Sequence, residues 1–187
     1  MHLVAGLGNP GPKYAGNRHN VGFLVVDRVA ERCRADGFRD KFKGEFTKVR
    51  VDGNDAVLLK PMTYMNLSGE SVGAAQKFFK VPQERLLVVH DELDLPFGAL
   101  RVKVGGGTAG HKGLRSIVQH TQGPGFVRLR MGIGRPQGKQ SVESYVLSDF
   151  DASARAELDA LLDRAAEAVE TVVQRGPRAA MNRFHAG

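Results

Sequence analysis

Met1-His2-Leu3-Val4-Ala5-Gly6-Leu7, then Gly8-Asn9-Pro10-Gly11-Pro12-Lys13-Tyr14 and Asn17-Arg18-His19-Asn20-Val21-Gly22, is the stretch whose reading decides the fold. Leu3, Val4, Ala5 and Leu7 form an apolar run without polar alternation, the pattern of a strand buried on both faces. Glycines and prolines end the run. Val21, Leu24, Val25 and Val29 then recur at helical spacing, which predicts a helix to about Arg34 before Asp36-Gly37. Strand, punctuated loop and helix in this order predict an α/β fold. The loop, crowded with Asn, Arg, His and Tyr, then lies at a strand's carboxyl end, where such folds bind ligands. His19 is its foremost candidate for chemistry.

The same stretch carries Gly6-x-Gly8-x-x-Gly11, the spacing of a dinucleotide-binding turn. That turn works because a helix starts at the glycines and its free N–H groups hold pyrophosphate. Here Pro10 and Pro12 each remove an N–H, and the helical pattern starts only near Asn17 or Asn20. The spacing is therefore a weak argument for a nicotinamide or flavin enzyme.

Outward from this stretch, strands and helices alternate. Residues 45–51 read as a strand, Asp52-Gly53-Asn54 as a hairpin turn and Ala56 to Lys60 as the return strand, stopped by Pro61. After Met62 to Glu70, a helix is expected to place Val72, Ala75, Phe78 and Phe79 on one side. Leu86 to Val89 reads as a central strand ending in a second polar loop, His90-Asp91-Glu92-Leu93-Asp94-Leu95-Pro96. Leu100 to Val104 alternates, with Val102 and Val104 on one face and Arg101 and Lys103 on the other. The glycine-rich turn from Gly105 to Gly113 leads into a helix with Leu114, Ile117 and Val118 inward. It is no Walker loop, because Gly113 follows Lys112. In the strand Val127 to Ile133, Arg128 and Arg130 oppose Val127, Leu129 and Met131. Residues 135–148 read as a polar connection, Ala152 to Arg175 as a long amphipathic helix stopped by Gly176-Pro177, and the rest as a short tail. The expected architecture is a single α/β domain over residues 1–187: a twisted mixed β-sheet flanked by helices, with a long C-terminal helix.

A chain of 187 residues suits one sizeable core. Cys33 is the only cysteine, which rules out an internal disulfide and fits a reducing, cytoplasmic setting. The N-terminus lacks the basic and apolar regions of a signal peptide, and no apolar run approaches the ~20 residues that span a membrane. The net charge is +7, and its distribution is uneven. Residues 101–142 hold eight cations (Arg101, Lys103, Lys112, Arg115, Arg128, Arg130, Arg135, Lys139) and no acid, so the rest of the chain sums to −1. Such a segment points to a polyanionic partner, with Arg101, Lys103 and Arg130 as phosphate contacts.

Three loop segments hold candidate reacting groups: Asn9 with His19, Asn66, and Asp91. An imidazole takes a proton from water near neutral pH, a carboxylate fixes its tautomer, and carboxamides hold an oxyanion or a substrate backbone. No Ser or Cys carries a nucleophile signature. The set reads as attack of a His-activated water on an ester or amide. Each residue also has a plainer reading: His19 and Asn66 as helix-start or turn residues, Asn9 as a turn residue before Pro10, and Asp91 as a structural acceptor. The cations also read as a solvated face. His90, Asp91, Glu92 and Asp94 form a further, metal-binding alternative, weakened because strand neighbours point to opposite faces.

Taken together, the segments resemble bacterial peptidyl-tRNA hydrolase along essentially the whole chain. The carriers are Gly6 to Gly11 with Tyr14, Arg18-His19-Asn20-Val21-Gly22, Lys60 to Gly69, His90 to Pro96, and Arg128-Leu129-Arg130-Met131-Gly132-Ile133-Gly134. The resemblance implies hydrolysis of the ester between peptide and tRNA by a monomer without metal or cofactor. It implies that His19 is the base, that Asp91 supports it and that Asn9 discriminates blocked from free aminoacyl groups. It implies that Tyr14, Tyr64 and Asn66 line the substrate site. One position departs: the family commonly reads Gly-His-Asn-Gly where this chain has Gly110-His111-Lys112-Gly113. Lys112 has no acceptor and meets a phosphate as a point charge instead. Phe97 stands where a second Pro is common. The competing expectation is a non-catalytic RNA-binding relative, of the kind seen among plant organelle splicing factors. The intact set of His19, Asp91, Asn9 and Asn66 argues against it.

Overall fold

The computed structural model describes residues 1–185. Seven strands form one sheet: β1 (His2–Gly6), β2 (Arg39–Lys41), β3 (Gly44–Val51), β4 (Asn54–Pro61), β5 (Leu86–Glu92), β6 (Leu100–Val104) and β7 (Val127–Gly132). Their order is β2-β3-β4-β1-β5-β7-β6. The four central strands, β4, β1, β5 and β7, run parallel, and β3 with β2 on one side and β6 on the other add antiparallel flanks.

Six helices cover the faces: α1 (Val21–Arg32), α2 (Ser68–Phe79), α3 (Lys112–His120), α4 (Val142–Val146), α5 (Arg155–Arg175) and α6 (Pro177–Phe184). The strand residues divide by alternation. Val4, Leu58, Leu87, Val89 and Leu129 pack against α1, α5 and α6, whereas Leu3, Ala5, Val57, Leu59 and Val88 pack beneath α2 and α3. Two cores back to back on one sheet explain the unbroken apolar runs of β1, β4 and β5.

Gly6, the first glycine of the dinucleotide-like spacing, and Gly22 in α1 are packing devices. A Cβ on Gly6 would lie 2.1 Å from the Gly22 carbonyl oxygen, and one on Gly22 would lie 2.4 Å from the Leu7 nitrogen. The helix α1 therefore sits directly on the end of β1. From β1 the chain crosses by α1 to the β2–β4 side, and from β4 it crosses by α2, on the opposite face, to β5. The two connections diverge on either side of β1 and leave a crevice at the strands' carboxyl ends, the switch point of a doubly wound sheet.

Several local expectations need correction. β5 does not stop at Val89; it runs through Glu92, buried throughout, because His90, Asp91 and Glu92 all find polar partners from other elements. Val104 and Phe78, grouped with buried Val102 and Val72 on the apolar faces of their elements, are 49% and 57% exposed; Val104 ends the edge strand β6, and Phe78 lies beneath the Lys41 ammonium, 4.0 Å from its ring centre. Arg128, expected on the basic face, is buried. The polar connection contains α4, and the tail is the helix α6, with Pro177 in its first turn, where a missing N–H costs nothing. The short edge strand β2 has no sequence signal, because its turn into β3 uses Phe42 and Lys43 at φ 60 and 54, left-handed positions usually given to Asn and Gly. The Asp52-Gly53 turn between β3 and β4 is the ordinary version. Cys33 is half-buried just beyond α1, and burial pushes its thiol up, consistent with a structural role.

Candidate active site

At the crevice β1 ends with the Leu7 N–H donating to the Val89 carbonyl at 3.0 Å, and the chain turns through Gly8 to Asn9. Asn9 is locked on three sides. Its backbone N–H donates to Asn20 Oδ1 and its carbonyl accepts from Asn20 Nδ2, both at 2.9 Å. Its Oδ1 accepts the Met65 N–H at 2.7 Å, which ties the first loop to the loop after β4. The Asn9 Nδ2 group has no partner among the described residues, and Asn9 lines the cleft.

His19 sits in the single 3-10 turn Arg18–Asn20 that leads into α1. Its Nδ1–H donates to Asp91 Oδ2 at 2.8 Å. The Asp91 side chain is 3% exposed and accepts a second bond on Oδ1, from His111 Nε2–H at 2.9 Å. His111 caps α3: its Nδ1 accepts the Leu114 N–H at 3.3 Å. This cap decides the tautomer, because a nitrogen that accepts cannot carry the proton. The His111 proton is therefore on Nε2, pointed at Asp91. Burial pushes the Asp91 carboxyl up, but the two imidazoles, His19 ahead of His111, outweigh it and hold the carboxyl well below the usual carboxylate range. An ionised Asp91 keeps the His19 proton on Nδ1. The Nε2 of a neutral His19 is then a bare lone pair, without a partner among the described residues, on a ring that lines the cleft.

Behind this pair lies a supporting network. His90 Nδ1–H donates to the Asp91 carbonyl at 2.9 Å, and its Nε2 accepts from Arg128 Nε at 3.2 Å. Complete burial, with His111 and Arg128 close by, pushes the His90 imidazolium well below its ordinary range, so the ring is neutral. Arg128 also donates to the carbonyls of Gly105 and Gly107, at 3.3 and 2.8 Å. The buried arginine thus tethers the glycine-rich loop that delivers His111.

The cleft has a volume of about 660 Å³. The structure brings six sequence-predicted residues to it: Asn9, His19, Tyr64, Asn66, Asp91 and Lys112. Tyr64 is 59% exposed, and Asn66 and Lys112 are exposed with no side-chain hydrogen bond among the described residues. A second wall is apolar, with Leu93, Val142, Val146 and Leu147. Tyr14 is not among the lining residues; it ends the Pro12–Tyr14 turn, half-buried beneath Lys13. Arg101, Lys103 and Arg130 are also away from the lining, on the β6–β7 face, where Arg101 pairs in register with Arg130 and Lys103 with Arg128. Arg130 Nε donates to Glu92 at 3.0 Å, while Lys103 is exposed with no acid partner among the described residues.

Sequence reasoning missed His111, although it precedes Lys112 in the turn, because a cap partner is visible only in three dimensions. It also missed the buried His90–Arg128 pair. His19, Asp91 and His111 bring one donor atom each within 4.8 Å of one another, the only such cluster among the described residues. As folded, both imidazole N–H groups are committed to Asp91, so a cation there would have to displace two protons. The other acids of the alternative metal set turn elsewhere, Glu92 to Arg130 and Asp94 to Arg135.

Fold and site together define a doubly wound α/β protein with a histidine–carboxylate cluster in its strand-end cleft. A family model described as peptidyl-tRNA hydrolase matches residues 3–187. A peptidyl-tRNA hydrolase of Sorangium cellulosum is 55% identical over 184 residues, covering 97% of this chain and 82% of that protein. One of Frankia casuarinae is 51% identical, covering 98% and 93%. The crystal structure of peptidyl-tRNA hydrolase from Acinetobacter baumannii superposes with a TM-score of 0.93 at 43% identity, covering 100% of this chain and 95% of that one. The chain belongs to the peptidyl-tRNA hydrolase family.

Proposed function

We propose that this cleft hydrolyses the ester joining a peptide to tRNA by direct attack of water, with His19 as the general base. Release of free tRNA from peptidyl-tRNA is the reaction of the family to which the chain belongs. The observation that carries the assignment of the base is the doubly bonded Asp91, which leaves Nε2 of His19 bare in the cleft. A water there gives its proton to Nε2 while its oxygen attacks the ester carbonyl carbon. The imidazolium formed is stabilised by ionised Asp91 at 2.8 Å. Collapse of the tetrahedral intermediate breaks the bond to the ribose oxygen, which takes the proton back from His19. The products are tRNA with its ribose hydroxyl restored and a peptide carboxylic acid, which gives its proton to solvent and leaves as the carboxylate.

Asn9 supplies the discrimination. Its Oδ1 is occupied by the Met65 N–H, so it offers only donors to the cleft. Those donors suit the carbonyl of an N-blocked substrate and repel a free α-ammonium, which has nothing but donors of its own. Asn66 and Tyr64 hold the substrate, and Lys112 meets a phosphate near the tRNA end. Tyr14, outside the lining, contributes at most through the shape of the first loop. Arg101, Lys103 and Arg130 take phosphates of the acceptor stem along β6 and β7. The scheme uses no cofactor and one protein copy, at work in the cytoplasm.

Single-turnover hydrolysis in ¹⁸O-labelled water tests the route. Direct attack puts one label in the peptide carboxylate and none in the tRNA. A labelled tRNA, or a trapped acyl-enzyme, would overturn it.

A further inference from the structure

Arg18, the neighbour of His19 in the same turn, faces away from the chemistry and grips the apolar wall. Its NH1 donates to Ser148 Oγ at 2.7 Å, the Asp149 carbonyl at 2.8 Å and the Ser148 carbonyl at 3.3 Å. Its backbone N–H donates to the Ser148 carbonyl at 3.0 Å. Its guanidinium lies 4.3 Å from the centre of the Tyr145 ring. Asn17 adds an antiparallel bridge to Asp149 and a side-chain bond to that carboxylate at 2.7 Å. Among the described residues, the hydrogen bonds of 137–149 to the rest of the chain run only to Asn17, Arg18 and, through the Tyr145 hydroxyl, the Ile133 carbonyl. The clamp is thus the main polar attachment of the wall.

The wall's chemistry says what it meets. Val142 and Leu147 are 44% and 36% exposed, large apolar groups turned into a concave site. An apolar surface offers phosphates no donor and suits uncharged side chains. We infer that Arg18 is a positioning residue for the known reaction: it fixes the 142–147 wall against the turn of His19, and the wall holds the side chains of the peptide, not the tRNA. This rests on the reading of the cleft as the ester-cleaving site. It makes the clamp a determinant of affinity that grows with the peptide and leaves the chemical step alone.

The test compares kcat and KM for two substrates, N-acetylglycyl-tRNA and a tRNA carrying a leucine-rich tripeptide. For Arg18→Ala we expect KM to rise about tenfold on the tripeptide substrate and less than threefold on acetylglycyl. We expect kcat within threefold on both and an unshifted pH profile of kcat. Arg18→Lys keeps the charge but not the fork, and only partly restores KM. Val142→Ser and Leu147→Ser change the wall without touching the clamp. They must show the same selective rise in KM, and they decide the matter should Arg18→Ala fail to fold. A fall in kcat shared by both substrates would overturn the inference, since Arg18 would then act on His19. An unchanged KM ratio would overturn it too. His19→Asn is the control for the underlying reading: if it still cleaves both substrates, the assignment of the base fails, whatever Arg18 does.

Discussion

Replacing Asp91 by Asn keeps the shape of the side chain and removes one acceptor. In the native site two imidazole N–H groups, from His19 and His111, converge on one carboxylate. The introduced carboxamide can satisfy only one of them with its oxygen. The His111 tautomer is locked by the Leu114 N–H, so the oxygen turns to His111 and the NH₂ group faces His19. His19 then accepts on Nδ1 and carries its proton on Nε2, and the base has lost its lone pair in the cleft. The neutral amide also no longer stabilises the imidazolium. With charges about 4 Å apart at an effective dielectric of about 20, that loss alone is roughly 4 kcal/mol, about a thousandfold. Together the two effects predict a fall in kcat of about 10³ to 10⁴, with KM changed less than about threefold. Single-turnover cleavage of an N-acetylated aminoacyl-tRNA measures it. Adding His111→Ala frees the carboxamide oxygen for His19, so the double variant should be about tenfold faster than Asp91→Asn. A loss of less than tenfold in the single variant, or no recovery in the double, refutes the tautomer argument.

Other consequences are as direct. His90 is buried and neutral in the folded state, so below about pH 6.5 the unfolded chain binds a proton that the native one refuses, and stability falls with pH. Linkage gives a loss of about 2 kcal/mol between pH 7 and 5 from this ring. His2, pushed down to about 4 by burial and by Arg85, adds a smaller loss of the same sign because it is half-exposed. Urea midpoints at both pH values should show a shallower pH slope for His90→Asn, and equal slopes would rule out this source. Asp91 acts in a different window, its contribution disappearing only below the ordinary carboxylate range. Gly22→Ala places a methyl against backbone atoms at 2.4 and 2.5 Å and should cost at least about 3 kcal/mol, a melting temperature lower by about 6–12 °C; a melting temperature within 2 °C of wild type would contradict the packing role. Neutralising Arg101, Lys103 or Arg130 by Gln should raise KM and flatten its salt dependence by about one phosphate each, with kcat largely kept. An unchanged salt slope would remove that residue from the tRNA surface.

The sheet's centre was legible because burial on both faces writes itself as unbroken apolar runs in β1, β4 and β5. The strand-end place of the loop bearing Asn9 and His19 followed from the order of elements; the switch point at β1 did not, because it depends on which strands pair. What escaped depended on partners distant in sequence. His90-Asp91-Glu92 looks like the end of a strand, since polar residues normally close an apolar run; it stays in β5 because Arg128, Arg130, His19 and His111 satisfy those groups. Arg128 alternates with valine and leucine like a surface residue, and only the glycine loop folding over it makes it internal. Gly176-Pro177 is a stop for α5 and equally a start for α6, and the sequence does not say which. His111 was passed over because a capping imidazole has no spacing signature of its own. The grip of Arg18 on Ser148 and Asp149 spans 130 residues and left no trace in either segment read alone.

The central claim is that His19, bare at Nε2 and held by Asp91, activates water against a blocked ester. Wild type and His19→Ala should be compared on N-acetylated aminoacyl-tRNA and on the same tRNA with its amino group free. The account predicts rapid cleavage of the blocked substrate only, lost by at least a thousandfold in His19→Ala with tRNA binding intact. Comparable cleavage by the variant, or equal cleavage of both substrates by wild type, would contradict it.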